Sequence, residues 1–258
     1  MKIDILSIFP EMFTNVLETS ILARAQAKEI LHLHVHDIRS FSTDKHKKTD
    51  EYPFGGGAGM LMSPQPVFDA INEIGVKKRM IYMSPRGKVL DETLVKELSA
   101  ENEILILCGH YEGMDQRILD HFSFEEVSIG DYVLTGGEIP AMVLIDSVAR
   151  LLPEVLGSEN AHNEESIYSG LLEYPQYTRP ASFELNSGKI LEVPEVLLSG
   201  NHKEIRLWNY KKSLQLTSEV RPDLLLKYVQ THLQNEGGGT LPKDEKKILE
   251  EFVNSQSD

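Results

Sequence analysis

Three histidines alternate along ILHLHVHD (30–37), at His32, His34 and His36. In an extended chain every second side chain faces the same way, about 6.7 Å from the next. Adjacent members of the row could chelate a metal. His32 and His36 are too far apart to share one, and no carboxylate pattern completes the set. The row therefore reads as the polar face of an edge strand. The glycine run FGGGAGM (54–60) permits close approach of backbone to a ligand. It lacks the Gly-Lys-Ser/Thr ending of a triphosphate loop and does not place GxGxxG between strand and helix. A nucleoside triphosphatase and a dinucleotide dehydrogenase are thus disfavoured, and alone the run reads as a turn. Three other segments are more specific together: YMSPRG (82–87), CGHYEGMDQR (108–117) and SIGDYVLTGGEIPAM (128–142). Each puts Gly, Pro, Ser or Tyr after a strand-like run, at the strand end where open α/β sheets bind ligands. The third offers glycine-permitted turns and exposed N–H groups ahead of a helix, suited to a purine edge or a carboxylate. Cys108 closes an aliphatic strand and reads as buried and inert.

The elements that must hold these segments alternate. KIDILSI (2–8), 30–37, MIYMS (80–84), EILILC (103–108) and the start of 125–140 read as strands. Helical spacing is carried by Met12, Val16, Ile21, Leu22 and Ala25, and again by Val89, Thr93, Leu94 and Leu98. IPAMVLIDSVARLLPEVL (139–156) reads as an apolar helix with Pro140 in its first turn. Residues 44–63 read as loop. Strands alternating with helices imply an α/β fold with a mostly parallel sheet. The composition changes after Gly157: SENAHNEES (158–166) reads as a connection, and helices are expected at 194–199, 201–219, 221–233 and 243–254. The predicted organisation is a domain at 1–157, a flexible linker at 158–172 and a smaller, mainly helical domain at 173–258.

Of 258 residues, 41% are apolar and 26% charged, the balance of a soluble globular chain rather than a disordered one. No run approaches the roughly 18 apolar residues of a membrane helix. The N-terminus lacks the apolar length and small-residue cleavage site of a signal peptide. The single cysteine excludes a disulfide framework and a Cys-rich zinc site. A cytoplasmic location is the expectation. A net charge of −14 opposes nucleic-acid binding unless cations cluster locally.

Five blocks, in order from IFPEMF (8–13) to about residue 230, resemble the bacterial tRNA (guanine-37-N1)-methyltransferase family. They are DKHKKTDEYPFGGGAGM (44–60), CGHYEGMDQR, SIGDYVLTGGEIPAMVLIDSVARLLP, GLLEYPQYTRP (170–180) and VPEVLLSGNHKEIRLWNYKKSL (193–214). The resemblance implies a SPOUT-class fold, with a deep trefoil knot in the parallel sheet cradling S-adenosylmethionine. It also implies a homodimer with its active site between subunits. By matching motifs, the donor pocket would comprise Tyr82, Met83, Ser84 and Pro85, then Gly109, Tyr111, Glu112 and Gly113. It would continue through Ile129, Gly130, Asp131, Tyr132, Val133 and Leu134 to Gly136, Gly137 and Pro140, with backbone amides of Ile129 to Leu134 reading the adenine.

Guanine N1 is protonated at neutral pH, so methylation there needs a general base near N1 and donors near O6, where charge develops. The resemblance assigns O6 to Arg150, whose guanidinium offers a fixed donor fork. The family's linker aspartate before Ser-Phe is Glu165 here, in Glu165-Ser166-Ile167, and Glu165 is taken as the base. A further family aspartate before GLL is Ser169, leaving Glu173 as the nearest alternative carboxylate. His110 stands where many relatives carry Arg and is kept as an RNA contact. His202, Lys203 and Arg206 fall within one helical turn, with Lys211 and Lys212 beyond and Trp208 and Tyr210 interleaved. They are the candidate contacts to tRNA, with Lys45, Lys47 and Lys48 as a second basic cluster. The implied substrate is tRNA whose guanosine 37 follows another guanosine, drawn out of its stack. The acids near the site leave room for Mg²⁺ without naming ligands. The alternatives are a noncatalytic RNA-binding protein and a knotted methyltransferase acting at another RNA position.

Overall fold

The computed structural model describes residues 1–77, 79–156, 169–234 and 241–255. It divides into two compact units, Met1–Glu159 and Asn160–Asp258. In the first unit the apolar run at the start forms β1 (Lys2–Ser7). The helical spacing after it is realised as a 3-10 turn and two helices, α1 (Thr14–Leu17) and α2 (Ser20–Ala27). They are separate because Thr19 is extended at φ −126° and its hydroxyl caps Asn15 O at 2.8 Å. The histidine segment forms β2 (His32–Asp37). The expected loop at 44–63 contains a two-residue antiparallel pair, β3 (Asp50–Glu51) with β4 (Leu61–Met62), which ties the ends of the glycine run together. Helix α3 (Pro64–Ile74) follows, with Pro64 at a first-turn position where its missing N–H costs nothing. Then come β5 (Arg79–Val89), α4 (Glu92–Ser99), β6 (Glu103–Cys108), α5 (Gln116–His121), β7 (Glu125–Ser128) and α6 (Glu138–Ala149). The Asp91 carboxylate opens α4 by accepting from Leu94 N–H at 2.9 Å.

The five long strands form one parallel sheet in the order β2-β1-β6-β5-β7. The histidines thus lie on an edge strand. His36 differs from the other two: its Nε2 sits 2.9 Å from Oδ1 of the buried Asp4. On β6, Ile104 and Ile106 face one apolar cluster while Leu105 and Leu107 face another. A central parallel strand covered on both faces needs such an unbroken apolar run. Side chains of α4 and α6 fill the first cluster, and those of α3 and α5 the second. Each fully buried Leu or Ile contributes about 1.5–3 kcal/mol.

Helix α6 is shorter than its sequence pattern implied, ending at Ala149 with Arg150 as its cap. Pro153 explains the stop: continued helix would drive its ring into the carbonyl of Ala149 and lose a hydrogen bond. Strand β5 is longer than MIYMS. Its pairing with β7 shifts register between Met83 and Lys88, so Ser84–Gly87 bulge out of the sheet. Gly87 permits this excursion, since a Cβ there would lie 2.3 Å from the Glu126 carbonyl carbon.

The second unit carries an antiparallel hairpin, β8 (Ser182–Glu184) with β9 (Ile190–Glu192), that the sequence reading does not anticipate. Its turn closes through Leu185 and Lys189 backbone at 2.8 Å, with Gly188 at φ 78°. Four helices follow: α7 (Glu195–Leu198), α8 (His202–Val220), α9 (Pro222–Val229) and α10 (Lys243–Ser255). The helix expected to run to 233 becomes a wider π turn over Gln230–Gln234. Leu171, Leu214, Tyr228 and Leu249 are the buried centre of this unit. Leu172 N–H donates to the buried Thr217 hydroxyl at 2.9 Å. Among the described residues, no helix is long and apolar enough to cross a membrane.

Candidate active site

Going from β5 the chain adds β6 on one side and then β7 on the other. Such a reversal leaves a crevice at the carboxyl ends of the strands, where α/β sheets take ligands. A cavity of about 400 Å³ lies there, within the range of small-molecule sites. Three segments wall it: the bulge after Met83, the turn after Cys108 and the loop from Ser128 to Pro140. Every residue singled out for the donor pocket lines it except Asp131. The sequence reading missed Arg86, Gln116 and Ser128, which also line it, and it placed His110 with RNA rather than in this wall. Arg86 was legible as the one charged residue of YMSPRG. Its guanidinium forks onto Glu126, Nε to Oε2 at 3.2 Å and Nη2 to Oε1 at 3.0 Å.

Local hydrogen bonds shape the walls. The Ser128 hydroxyl donates to Gly130 O at 3.0 Å, and Tyr132 O–H donates to Ile129 O at 3.0 Å. Gly137 N–H donates to Gly109 O at 2.7 Å, joining the second wall to the third. That contact requires glycine, because a Cβ on Gly137 would lie 2.7 Å from Gly109 N and 2.8 Å from Cys108 Cα. The neighbours are backbone and cannot swing aside. Tyr82 is 5% exposed; burial first, and the Glu126 charge second, hold its phenol above the usual range. It therefore stays a neutral hydrogen-bonding group at physiological pH. Cys108 is fully buried and its thiol is pushed well above the ordinary value by desolvation, then by Glu138. It is no nucleophile.

The other candidate residues lie elsewhere. Arg150 is half-buried at the far end of α6 and is not part of the cavity wall. Glu165 lies outside the described residues, as does the whole of the connection read at 158–166. In the second unit, Ser169 Oγ donates to Leu171 O at 3.2 Å and Glu173 Oε1 accepts from Gln176 at 2.7 Å. His202, Lys203, Arg206, Lys211 and Lys212 all lie on α8. Two of these cations carry acids from α10: Lys203 pairs with Asp244 at 2.9 Å and Arg206 with Glu245 at 3.1 Å. Lys212 Nζ stands 5.8 Å from the centre of the Trp208 ring and donates to Gln215 at 3.2 Å. Among the described residues, no group of three or more His, Cys, Asp or Glu gathers to hold a metal ion.

A parallel α/β sheet with a glycine-walled crevice at its switch point defines the class of α/β proteins whose ligand site lies at the carboxyl ends of the strands. Comparison with known proteins narrows this class. A family model described as tRNA (Guanine-1)-methyltransferase TrmD matches residues 1–227. Relatives named tRNA (guanine-N(1)-)-methyltransferase occur in Alkaliphilus metalliredigens and Clostridioides difficile. The first is 52% identical over 87% of this chain and 92% of its own length, the second 50% over 88% and 98%. One from Bacillus cereus is 48% identical over 99% of this chain and all of its own. The chain belongs to the tRNA (guanine-1)-methyltransferase TrmD family.

Proposed function

We propose that this protein transfers a methyl group from S-adenosyl-L-methionine to N1 of guanosine 37 in tRNA. The observation that carries the reading is the cavity at the carboxyl ends of β5, β6 and β7. Its walls are the segments to which the sequence resemblance assigns the donor, and they fall within a family match over 1–227. The walls fit such a donor: backbone approaches backbone at Gly137, and Tyr82 supplies a neutral phenol. When bound, the donor supplies an electrophilic methyl on a sulfonium centre. The chain must then orient a guanine and remove its N1 proton. In this reading Glu165 takes that proton and Arg150 donates to O6 as charge builds there.

The reading includes a homodimer and a trefoil-knotted sheet. Helix α6 supports the homodimer. Its 12 residues span about 18 Å, so Arg150 ends a full helix length from the cavity bordered by Pro140. Ile139 and Val143, 49% and 41% exposed, share a helical stripe with Arg150. Such a stripe suits a second copy, whose cavity Arg150 would serve. Residues 1–157 would bind the donor, 158–172 would carry the base, and 173–258 would hold the anticodon branch through α8. The described residues do not gather a ligand set for Mg²⁺, and no step here is routed through it.

The test is methyl transfer from labelled donor to an unmodified tRNA containing guanosines 36 and 37, beside the same transcript with guanosine 37 replaced. Label entering only the first is the expected result. Equal labelling of both would move the target nucleotide, and no labelling of either, with tRNA still bound, would make the protein a binder rather than an enzyme.

A further inference from the structure

The cavity rests on a buried carboxylate that the mechanism above does not use. Glu138, the first residue of α6, is 1% exposed. An acid at a helix N-terminus gains from the dipole while exposed, and burying it is costly unless partners meet it. Its Oε1 accepts from the Ser7 hydroxyl at 2.7 Å. Ser7 Oγ in turn accepts from Phe9 N–H at 2.8 Å, which leaves its own proton for Glu138. The second carboxylate oxygen, Oε2, stands 4.0 Å from His110 Nδ1. That nitrogen is buried and has no hydrogen-bond partner among the described residues. Gly136 makes room for the pair, since a Cβ there would lie 2.4 Å from Oε2 and 2.7 Å from Nδ1. The imidazole stands edge-on between Phe9 and Tyr111, with ring centres 4.9 and 5.0 Å away, and it lines the cavity.

We propose that Glu138 is the positioning residue of His110, accepting a hydrogen bond from Nδ1–H so that Nε2 is the ring nitrogen left to the guanine that enters the cavity mouth beside the methyl donor. The separation is about 1 Å longer than a hydrogen bond. Contacts of this kind are long in ligand-free sites and close when substrate binds. The bond made by one imidazole nitrogen sets the chemistry of the other. A neutral His110 held this way turns a lone pair to the cavity, an acceptor suited to an N–H donor. Guanine presents two such donors side by side on its N1 edge. The assignment of that occupant rests on the methyl-transfer reading; the pairing itself does not.

The experiment is nitrogen-resolved NMR of the His110 side chain in the full-length protein, with and without S-adenosylmethionine. The expected wild-type spectrum has Nδ1 protonated and Nε2 bare. In Glu138→Gln the Ser7 hydroxyl must keep the amide oxygen, so the amide N–H faces Nδ1 and the tautomer inverts. Single-turnover methyl transfer to tRNA should fall about tenfold, the loss of one hydrogen bond, with donor affinity unchanged. In a His110→Ala background the same substitution should cost nothing further. A wild-type His110 carrying its proton on Nε2 overturns the proposal without any variant being needed. So do losses that multiply in the double variant. An Nδ1–H tautomer in a protein that transfers no methyl would uphold the pairing and sink the reaction instead.

Discussion

Glu165 is proposed as the base where the resemblance implies an aspartate, one methylene shorter. If it is the base, Glu165→Gln removes the proton acceptor without touching the donor cavity. Single-turnover methylation should drop by about 10²–10⁴-fold while calorimetric donor affinity stays the same. A near-normal rate would take Glu165 out of the mechanism. Cys108 gives a second expectation. Its folded thiol is raised above its unfolded value, so burial of the neutral thiol contributes fully below the unfolded pKa, about 8.5. That contribution is lost as pH rises above it and the unfolded chain ionises. At pH 8 a thiolate-selective reagent should label Cys108 only on unfolding, and fast labelling of the native protein would contradict the burial. Such residue-level chemistry was partly legible. Glycines and a tyrosine at strand ends announced the cavity, whereas Glu138 beside them reads in sequence as an ordinary first-turn helix acid. Only the fold reveals that Ser7, more than a hundred residues earlier, meets it.

Among elements, β6 was fully readable because a run of five apolar residues allows little but a buried strand. Helix α3 was not read, although Val67, Ala70, Ile71 and Ile74 carry helical spacing, because Pro64 and Pro66 at its start resemble loop. The hairpin β8–β9 escaped because its strands have three residues each and expose Phe183, Ile190 and Leu191, leaving no alternation to detect. Arg150 was read onto a long helix that Pro153 in fact cuts short. Within the second unit, Thr217 is fully buried, donates to Ser213 O at 2.6 Å and accepts from Leu172 N–H at 2.9 Å. Thr217→Val keeps the shape and strands the Leu172 amide, so stability should fall by about 1–3 kcal/mol. Denaturant unfolding of that variant checks this, and an unchanged midpoint would mean that the amide finds another partner.

The whole molecule carries −14 and is nonetheless assigned a polyanionic substrate. Five cations against two acids within 201–221 reconcile the two only in part, because α10 and Asp223 engage several of them. The Lys203–Asp244 and Arg221–Asp223 pairs are exposed on both sides and such pairs are worth about 0–1 kcal/mol, so RNA phosphates can displace these carboxylates at small cost. Joint replacement Asp244→Asn and Glu245→Gln should therefore tighten tRNA binding and steepen its decline with salt. Filter binding between low and physiological salt measures both, and weaker binding by this variant would show that α10 holds the cations in place for RNA rather than competing with it.

The sheet order has a consequence for synthesis on the ribosome. The central neighbour of β1 is β6, whose Glu103 aligns with Lys2. A nascent chain that has emerged only as far as β5 holds the β2–β1 pair and β5, without the β6 that stands between them. The third wall of the cavity ends at Pro140. No shorter N-terminal fragment completes the cavity walls, so on the proposed reading donor present during translation can first bind when α6 begins to form.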